Sequence, residues 1–343
     1  MKNVNWETQR QAVQLTNLDA TISKYCAVSK GYYSDPYIHL FVSTKEKRQP
    51  LINRGTHARV QAVQRLVERF LQFTTPYGKR QIINLGSGFD TLVFRLREKE
   101  FLGQDDVFVE LDFPEITRTK RQIIQQHPSL HSLLGTTSFQ KVHDGLSCGV
   151  YSLIGVNLEQ IERVSYLLEK VCQLSPDSPT LVISECVFTY MEPQNADQII
   201  QYFSSTFSFI SFILFELTFP TDPFGRQMVK NIEQRGCSLA SLSAYPTLKA
   251  QKERFIQYGY SKVDIMSMYS FYEDVLDSEE KQRIERLELL DELEEWRLLM
   301  QHYFLLYCLK VNNNTLKDSE VNCLWDSFRF ISKHRKVEEE SLS

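Results

Sequence analysis

The chain lacks most of what marks the specialised protein classes. No CxxC pair occurs among its seven cysteines, which stand at 26, 148, 172, 186, 237, 308 and 323. Scattered and odd in number, they fit unpaired thiols in a reducing compartment, not a disulfide scaffold. The seven histidines form neither HxH nor HExxH. His127 and His131 are four apart, but Pro128 lies between them and no carboxylate is suitably spaced, so no metal site is expected. Glycine and proline are sparse, 13 and 11 in 343 residues, which excludes collagen-like and low-complexity chains. Neither sign of charge dominates. The 39 Lys+Arg and 43 Asp+Glu leave a net charge of −4, without the bulk positive charge of many nucleic-acid binders, and no nucleic-acid partner is expected. The most apolar stretch, 207–219, is interrupted by Ser208, Ser211 and Glu216. A membrane span needs roughly 20 mostly apolar residues, so none is expected. The first fifteen residues are polar and mixed in charge, unlike a secretory signal. These absences point to a globular cytoplasmic protein.

What is present is an alternation. Residues 1–30 read as helix ending near Gly31, and 57–73 as a helix with Val60, Val63, Leu66, Val67 and Phe70 on one face. Short apolar runs then follow at 81–85, 107–111, 150–156, 180–186 and 207–217, with helical stretches between them, one opened by Pro193. Further strands are predicted at 261–268 and 302–311, a mainly helical insertion at 220–258, and one acidic helix at 278–300. Strands alternating with helices predict an α/β chain: a mostly parallel, seven-stranded sheet with helices on both faces. We divide it into one domain over 1–311, comprising a helical cap (1–75), a core (80–217), the insertion (220–258) and a return to the core (260–311). Residues 312–343 read as a peripheral tail.

In such a sheet, ligands bind outside the carboxyl ends of the strands. Four predicted strand ends carry Gly86–Thr91, Glu110–Asp112, Asn157–Leu158 and Glu185–Tyr190. The two glycines permit a tight turn and close approach of a ligand to the backbone. The helix after them offers N–H groups to an anion. A dinucleotide fingerprint needs a third glycine at 91, where Thr91 stands; the pattern is nearer to adenosylmethionine-binding folds. Glu110 or Asp112 offers paired acceptors to ribose hydroxyls. The alternative for these carboxylates is a helix-capping role. Glu185 is suited to an ammonium group, or to an ion pair at the core edge. The aromatic-rich segments 32–41 and 188–224 are lid candidates.

Longer motifs narrow the reading. Ala27-Val28-Ser29-Lys30-Gly31-Tyr32, Asp35-Pro36-Tyr37-Ile38, Ile52-Asn53-Arg54-Gly55, Ala58-Arg59-Val60 and Asn84-Leu85-Gly86-Ser87-Gly88-Phe89-Asp90-Thr91 occur in order. Asp112-Phe113-Pro114, Glu185-Cys186-Val187, Tyr190-Met191, Phe224-Gly225-Arg226-Gln227 and Gln251-Lys252-Glu253-Arg254 follow. From about Lys24 to Val311 the chain resembles the leucine carboxyl methyltransferases, which methylate the C-terminal leucine of the type 2A protein phosphatase catalytic subunit and so regulate holoenzyme assembly. The resemblance implies a Rossmann-like methyltransferase fold and S-adenosyl-L-methionine as methyl donor. By motif position it implies Lys24, Arg59, Gly86, Asp112, Asn157, Leu158 and Glu185 as cofactor-binding residues. Members of the family can carry Asp where Asn157 stands. Arg59 and Tyr190 are the candidates for orienting the substrate carboxylate, and the enzyme is expected to be a monomer. A related tRNA-base carboxyl methyltransferase carries an added β-propeller, for which the 32 residues after Val311 are too few. A non-catalytic phosphatase-binding protein is the remaining alternative.

Overall fold

A computed structural model of the chain describes residues 6–135, 138–312 and 315–329. Nine strands form one sheet: β1 (Gln81–Leu85), β2 (Val107–Asp112), β3 (Gln140–Val142), β4 (Gly145–Ser147), β5 (Tyr151–Gly155), β6 (Thr180–Glu185), β7 (Phe209–Leu217), β8 (Lys262–Ser267) and β9 (Tyr303–Val311). Their order is β3-β4-β5-β2-β1-β6-β7-β9-β8. The five central strands, β5 to β7 in that order, are parallel. β1 has β2 on one side and β6 on the other, so strand order reverses at β1. That reversal opens a crevice at the carboxyl ends of β1, β2 and β6.

The central strands are buried on both faces, which is why they read as unbroken apolar runs. Alternate residues serve separate cores. Ile82 and Ile213 join one cluster, with Leu66 and Phe70; Ile83 and Phe212 join the other, with Ile199 and Phe203. The helices that matter below are α1 (Trp6–Ser29), α2 (Pro50–Thr74), α3 (Leu92–Glu98), α4 (Pro114–Gln126), α5 (Pro193–Thr206), α6 (Pro223–Glu233), α7 (Leu248–Gln257), α8 (Ser278–Glu285), α9 (Leu293–Gln301) and α10 (Asp318–Phe328). The insertion is helical, as its sequence suggests, through α6, the short helix Ala240–Ala244 and α7.

Three features depart from the sequence reading. The sheet has nine strands, not seven, because β3 and β4 form a small antiparallel hairpin at its edge. Each has three residues, and β3 is largely exposed, so no alternation is long enough to read. His143 and Asp144 turn the hairpin with left-handed φ of 38° and 60°, a conformation that suits the twist of tight hairpins. The acidic helix at 278–300 is two helices, α8 and α9. Between them Glu288 is drawn onto Asn53, at 2.8 Å, and Lys30, at 3.0 Å; these tertiary bonds override the local helical preference. Lastly, part of the segment after β9 is structured. α10 buries Leu324 and Phe328. Phe328 meets Phe73 of α2 edge-on at 5.8 Å, and Trp325 stacks on Tyr307 of β9 at 6.0 Å. The rest of the expected tail, 330–343, lies outside the described residues, as do residues 1–5 of the expected first helix.

Phe328 is wholly buried. Phe328→Ala is therefore expected to lower stability by about 3 kcal/mol, at the low end of the Phe→Ala range. Urea denaturation measures it; a change within about 0.5 kcal/mol, the range of ordinary surface substitutions, would show α10 to be an appendage.

Candidate functional site

α1 lies across the carboxyl ends of β1, β2 and β6, roofing a cavity of about 950 Å³. The floor is the turn after β1. Gly86 and Gly88 take left-handed φ of 59° and 52°. A Cβ on Gly86 would stand 2.5 Å from Val187 Cγ2, and one on Gly88 2.4 Å from Asn17 Oδ1. Both positions thus require glycine for conformation and for space. Asn17, from α1, accepts the Phe89 N–H at 2.8 Å, which pins roof to floor.

Asp90 stands two residues before α3. Its Oδ1 accepts the N–H groups of Thr91 (2.7 Å) and Leu92 (3.1 Å). The anion expected at this helix start is therefore the protein's own carboxylate. Lys24 of α1 lies 3.3 Å from it. Burial opposes ionisation of Asp90, but Lys24, Arg95 and Lys120 outweigh it and hold the carboxyl far below its usual range.

Of the two carboxylates on β2, only Asp112 reaches the cavity. Glu110 points to the α4 side, fully buried against Lys120 at 2.6 Å and the Tyr151 hydroxyl at 2.7 Å. Asp112 Oδ2 accepts the Gly88 N–H and Oδ1 the Phe113 N–H, each at 2.6 Å. It therefore ties the glycine turn to β2 while lining the cavity. Burial raises its pKa to about 6 in spite of those two donors. After β5, Asn157 Oδ1 accepts the Glu159 N–H at 3.2 Å, and Leu158 follows on the cavity wall.

At the far wall, Arg59 of α2 donates from Nε to Glu185 Oε2 at 2.6 Å and lies 4.7 Å over the Phe215 ring. Glu185 thus takes an ion-pair role. No described residue accepts from the two terminal Nη groups of Arg59. Cys186 follows in a left-handed conformation, φ 56°, which swings the chain away from β6. Val187 and Phe188 N–H groups both bond Glu216 Oε1 at 2.8 Å, and this places Tyr190 in the cavity wall. Burial pushes the Tyr190 phenol well above its ordinary pKa, so it is a donor at neutral pH.

Lys24, Arg59, Gly86, Asp112, Asn157, Leu158, Glu185 and Tyr190 all line this one cavity, whereas the alternative ribose candidate Glu110 does not. Of the two lid candidates, 188–224 contributes Tyr190, Met191 and Leu217, but 32–41 contributes no lining residue; α1 is the roof. Sequence reasoning missed Asn17, Asn84, Ser87 and Glu216. Asn84 and Ser87 stand in the glycine-turn motif and were open to notice. Asn17 carried no signal, because its helix has weak periodicity. Asn17 Nδ2, Asn84 Nδ2 and Ser87 Oγ are buried atoms without a partner among the described residues, all on lining residues.

Gly86→Ala forces a β-carbon into a left-handed position, at about 1–2 kcal/mol, and against Val187. We expect a loss of at least that size by urea denaturation, partly restored when Val187→Ala is added. Wild-type stability in the single variant would disprove the constraint.

Comparisons with known proteins agree with this geometry. A sequence model of the family described as leucine carboxyl methyltransferase matches residues 12–204. The leucine carboxyl methyltransferase 1 homolog of Arabidopsis thaliana is 39% identical over 303 residues, covering 88% of this chain and 90% of that protein. The human tRNA wybutosine-synthesizing protein 4 is 36% identical over 305 residues, covering 88% of this chain and 44% of that protein. Among solved structures, a DUF574 family protein from Streptomyces avermitilis shares the fold with a TM-score of 0.53 at 14% identity, over 85% of this chain and 97% of that one. With a matching family model over more than half its length and the Arabidopsis relative 39% identical over 90% of its own length, the chain belongs to the leucine carboxyl methyltransferase family.

Proposed function

We propose that the protein is an S-adenosylmethionine-dependent methyltransferase that esterifies the α-carboxylate of the C-terminal leucine of the type 2A protein phosphatase catalytic subunit. The observation that carries this reading is the Arg59–Glu185 pair beside Tyr190, in the same cavity as the glycine turn and Asp112. The residues suit the cofactor. The turn leaves space that a Cβ would fill, three buried polar atoms lack partners among the described residues, and Asp112 offers acceptors for ribose hydroxyls. When bound, the cofactor supplies a methyl group on a sulfonium. Asp112 and Asn157 would hold the nucleoside, and Lys24 and Arg59 the amino-acid end.

The chain's own task is to position a carboxylate. A C-terminal carboxyl has a reference pKa of about 3.3–3.7 and is ionised at neutral pH, so no general base is required. The free Nη groups of Arg59 present two parallel donors, which suit a carboxylate. Glu185 shares the guanidinium charge, so the nucleophile is oriented without being fully neutralised. Tyr190, held as a neutral phenol, adds a hydrogen bond. The Arg59 and Glu185 side chains are only 22% and 11% exposed, which strengthens each of these contacts. A second reading, transfer to a tRNA base, is favoured by the similarity to the human tRNA wybutosine-synthesizing protein 4. Labelled methyl donor offered to the phosphatase catalytic subunit, to the same subunit lacking its terminal leucine, and to bulk tRNA separates the two. Label on the intact subunit alone supports the proposal, and label on tRNA alone defeats it.

Arg59→Lys keeps the charge and loses the fork. Single-turnover transfer at saturating cofactor is expected to fall at least tenfold, which requires only about 1.4 kcal/mol of lost transition-state stabilisation. Wild-type turnover in a folded Lys variant would mean that Arg59 acts as a charge only, or not at all.

Asp112 generates a pH prediction. Its folded pKa of about 6 lies above the ordinary 3.8, so in the free enzyme the carboxylate is lost as pH falls through about 6. Only the ionised form offers both oxygens as acceptors. Adenosylmethionine affinity is expected to drop roughly tenfold between pH 7 and pH 5, and Asp112→Asn to bind weakly with a flat profile. Calorimetry at several pH values reads both. An unchanged dissociation constant in Asp112→Asn would remove Asp112 from the site.

A further inference from the structure

At the cavity mouth, Asp19 of α1 gathers two arginines from distant parts of the chain. Arg48 Nη2 donates to Asp19 Oδ1 at 2.9 Å, and Arg235 Nη1 to Oδ2 at 3.0 Å. All three residues line the cavity. Glu46 approaches Arg48 at 3.4 Å. The Arg235 and Asp19 side chains are 69% and 54% exposed, and exposed pairs of this kind contribute only about 0.2–1 kcal/mol. α1 does not depend on them for its place, since Lys24–Asp90 and Asn17–Phe89 already hold it. Two guanidiniums carry ten N–H donors, far more than one carboxylate can use. Lys45 and Lys47 stand exposed next to Arg48. The mouth is thus cationic in a chain of net charge −4. Beside it is one exposed apolar side chain, Leu15 (62%). Leu15 is one helical turn from Asp19 and on the same face.

The carboxylate to be methylated ends deep in the cavity, at Arg59 and Tyr190. The chain leading out of the cavity must cross this mouth. We propose that the rim binds the segment of the protein substrate that precedes its terminal residue: Arg48 and Arg235 exchange Asp19 for an acidic side chain, and Leu15 covers an apolar neighbour. This rests on the reading given under Proposed function. The exposed Leu15 and the modest number of cations favour a peptide over a phosphate backbone.

The test uses the full chain with S-adenosylhomocysteine bound, and fluorescence anisotropy of labelled octapeptides ending in leucine. Each peptide carries one Asp at a scanned position, and is compared with its Asn counterpart. We expect at least one Asp peptide to bind fivefold or more tighter than its Asn counterpart, an advantage that shrinks as salt is raised. Arg48→Gln with Arg235→Gln should abolish the advantage and leave the Asn peptide and the cofactor product bound as in the wild type. Asp19→Asn should tighten the Asp peptide by removing its competitor, whereas a purely structural tie predicts weaker binding. The proposal is overturned if Asp and Asn peptides bind equally at every position, or if the advantage survives in the double variant. It is also overturned if Asp19→Asn weakens the Asp peptide, or if a single-stranded RNA binds tighter than any peptide and is lost in the double variant. Methyl transfer to leucine-ending peptides with no acidic preference would sink this inference alone. Absence of methyl transfer to the intact phosphatase catalytic subunit, with the cofactor product still bound, would sink the reading beneath it as well.

Discussion

A chain of buried charge runs from the roof helix into the sheet. Lys24 of α1 pairs with Asp90, the Asp90 carbonyl accepts from Lys120 Nζ at 2.7 Å, Lys120 pairs with Glu110, and Glu110 accepts the Tyr151 hydroxyl. The Lys120 and Glu110 side chains are wholly out of water. Burial pushes Glu110 upward even with Lys120 and Tyr151 beside it. Taking such ions out of water costs several kcal/mol each, and removing one partner strands the other. The five residues, drawn from α1, the turn after β1, α4, β2 and β5, therefore have one arrangement in which every charge is answered. That arrangement holds α1 over the strand ends and gives the cavity its roof.

The walls follow the same logic of compensated charge. Burial disfavours the Arg59 cation, but Glu185 and its neighbours outweigh this and keep it charged. Burial holds the nearby Cys186 thiol up at about 12, a neutral group at physiological pH. Glu216, itself raised to about 7 by burial, accepts the N–H groups that shape the 186–190 turn. A carboxylate of β7 thus fixes a phenol that follows β6. The chemistry asked of the site is mild, since its nucleophile arrives ionised; what the fold supplies is placement.

Much of this was legible. The central strands stood out because strands buried on both faces are apolar throughout. The topological rule for open sheets then named their carboxyl ends, and Lys24, Arg59, Gly86, Asp112, Asn157, Leu158, Glu185 and Tyr190 do converge there. Local pattern failed where it was too short or was overridden. β3 and β4 have three residues each. Glu288 leaves the helical path for Asn53 and Lys30. α10 was read as tail because composition does not reveal that Phe73 and Tyr307 await Phe328 and Trp325.

What the sequence determined by itself is the alternation of strands and helices and the identity of the residues at each strand end, since period and turn chemistry are local properties. Only the tertiary structure decided the partners. Arg59 and Glu185 are 126 positions apart, and Arg235 and Asp19 are 216 apart. A charge at either position reads equally well as solvated surface. It is the packing of α1 and α2 against the sheet that brings Lys24 to Asp90 and Arg59 to Glu185. Once they are buried there, an unanswered charge costs more than a solvated one, and the pairing becomes obligatory.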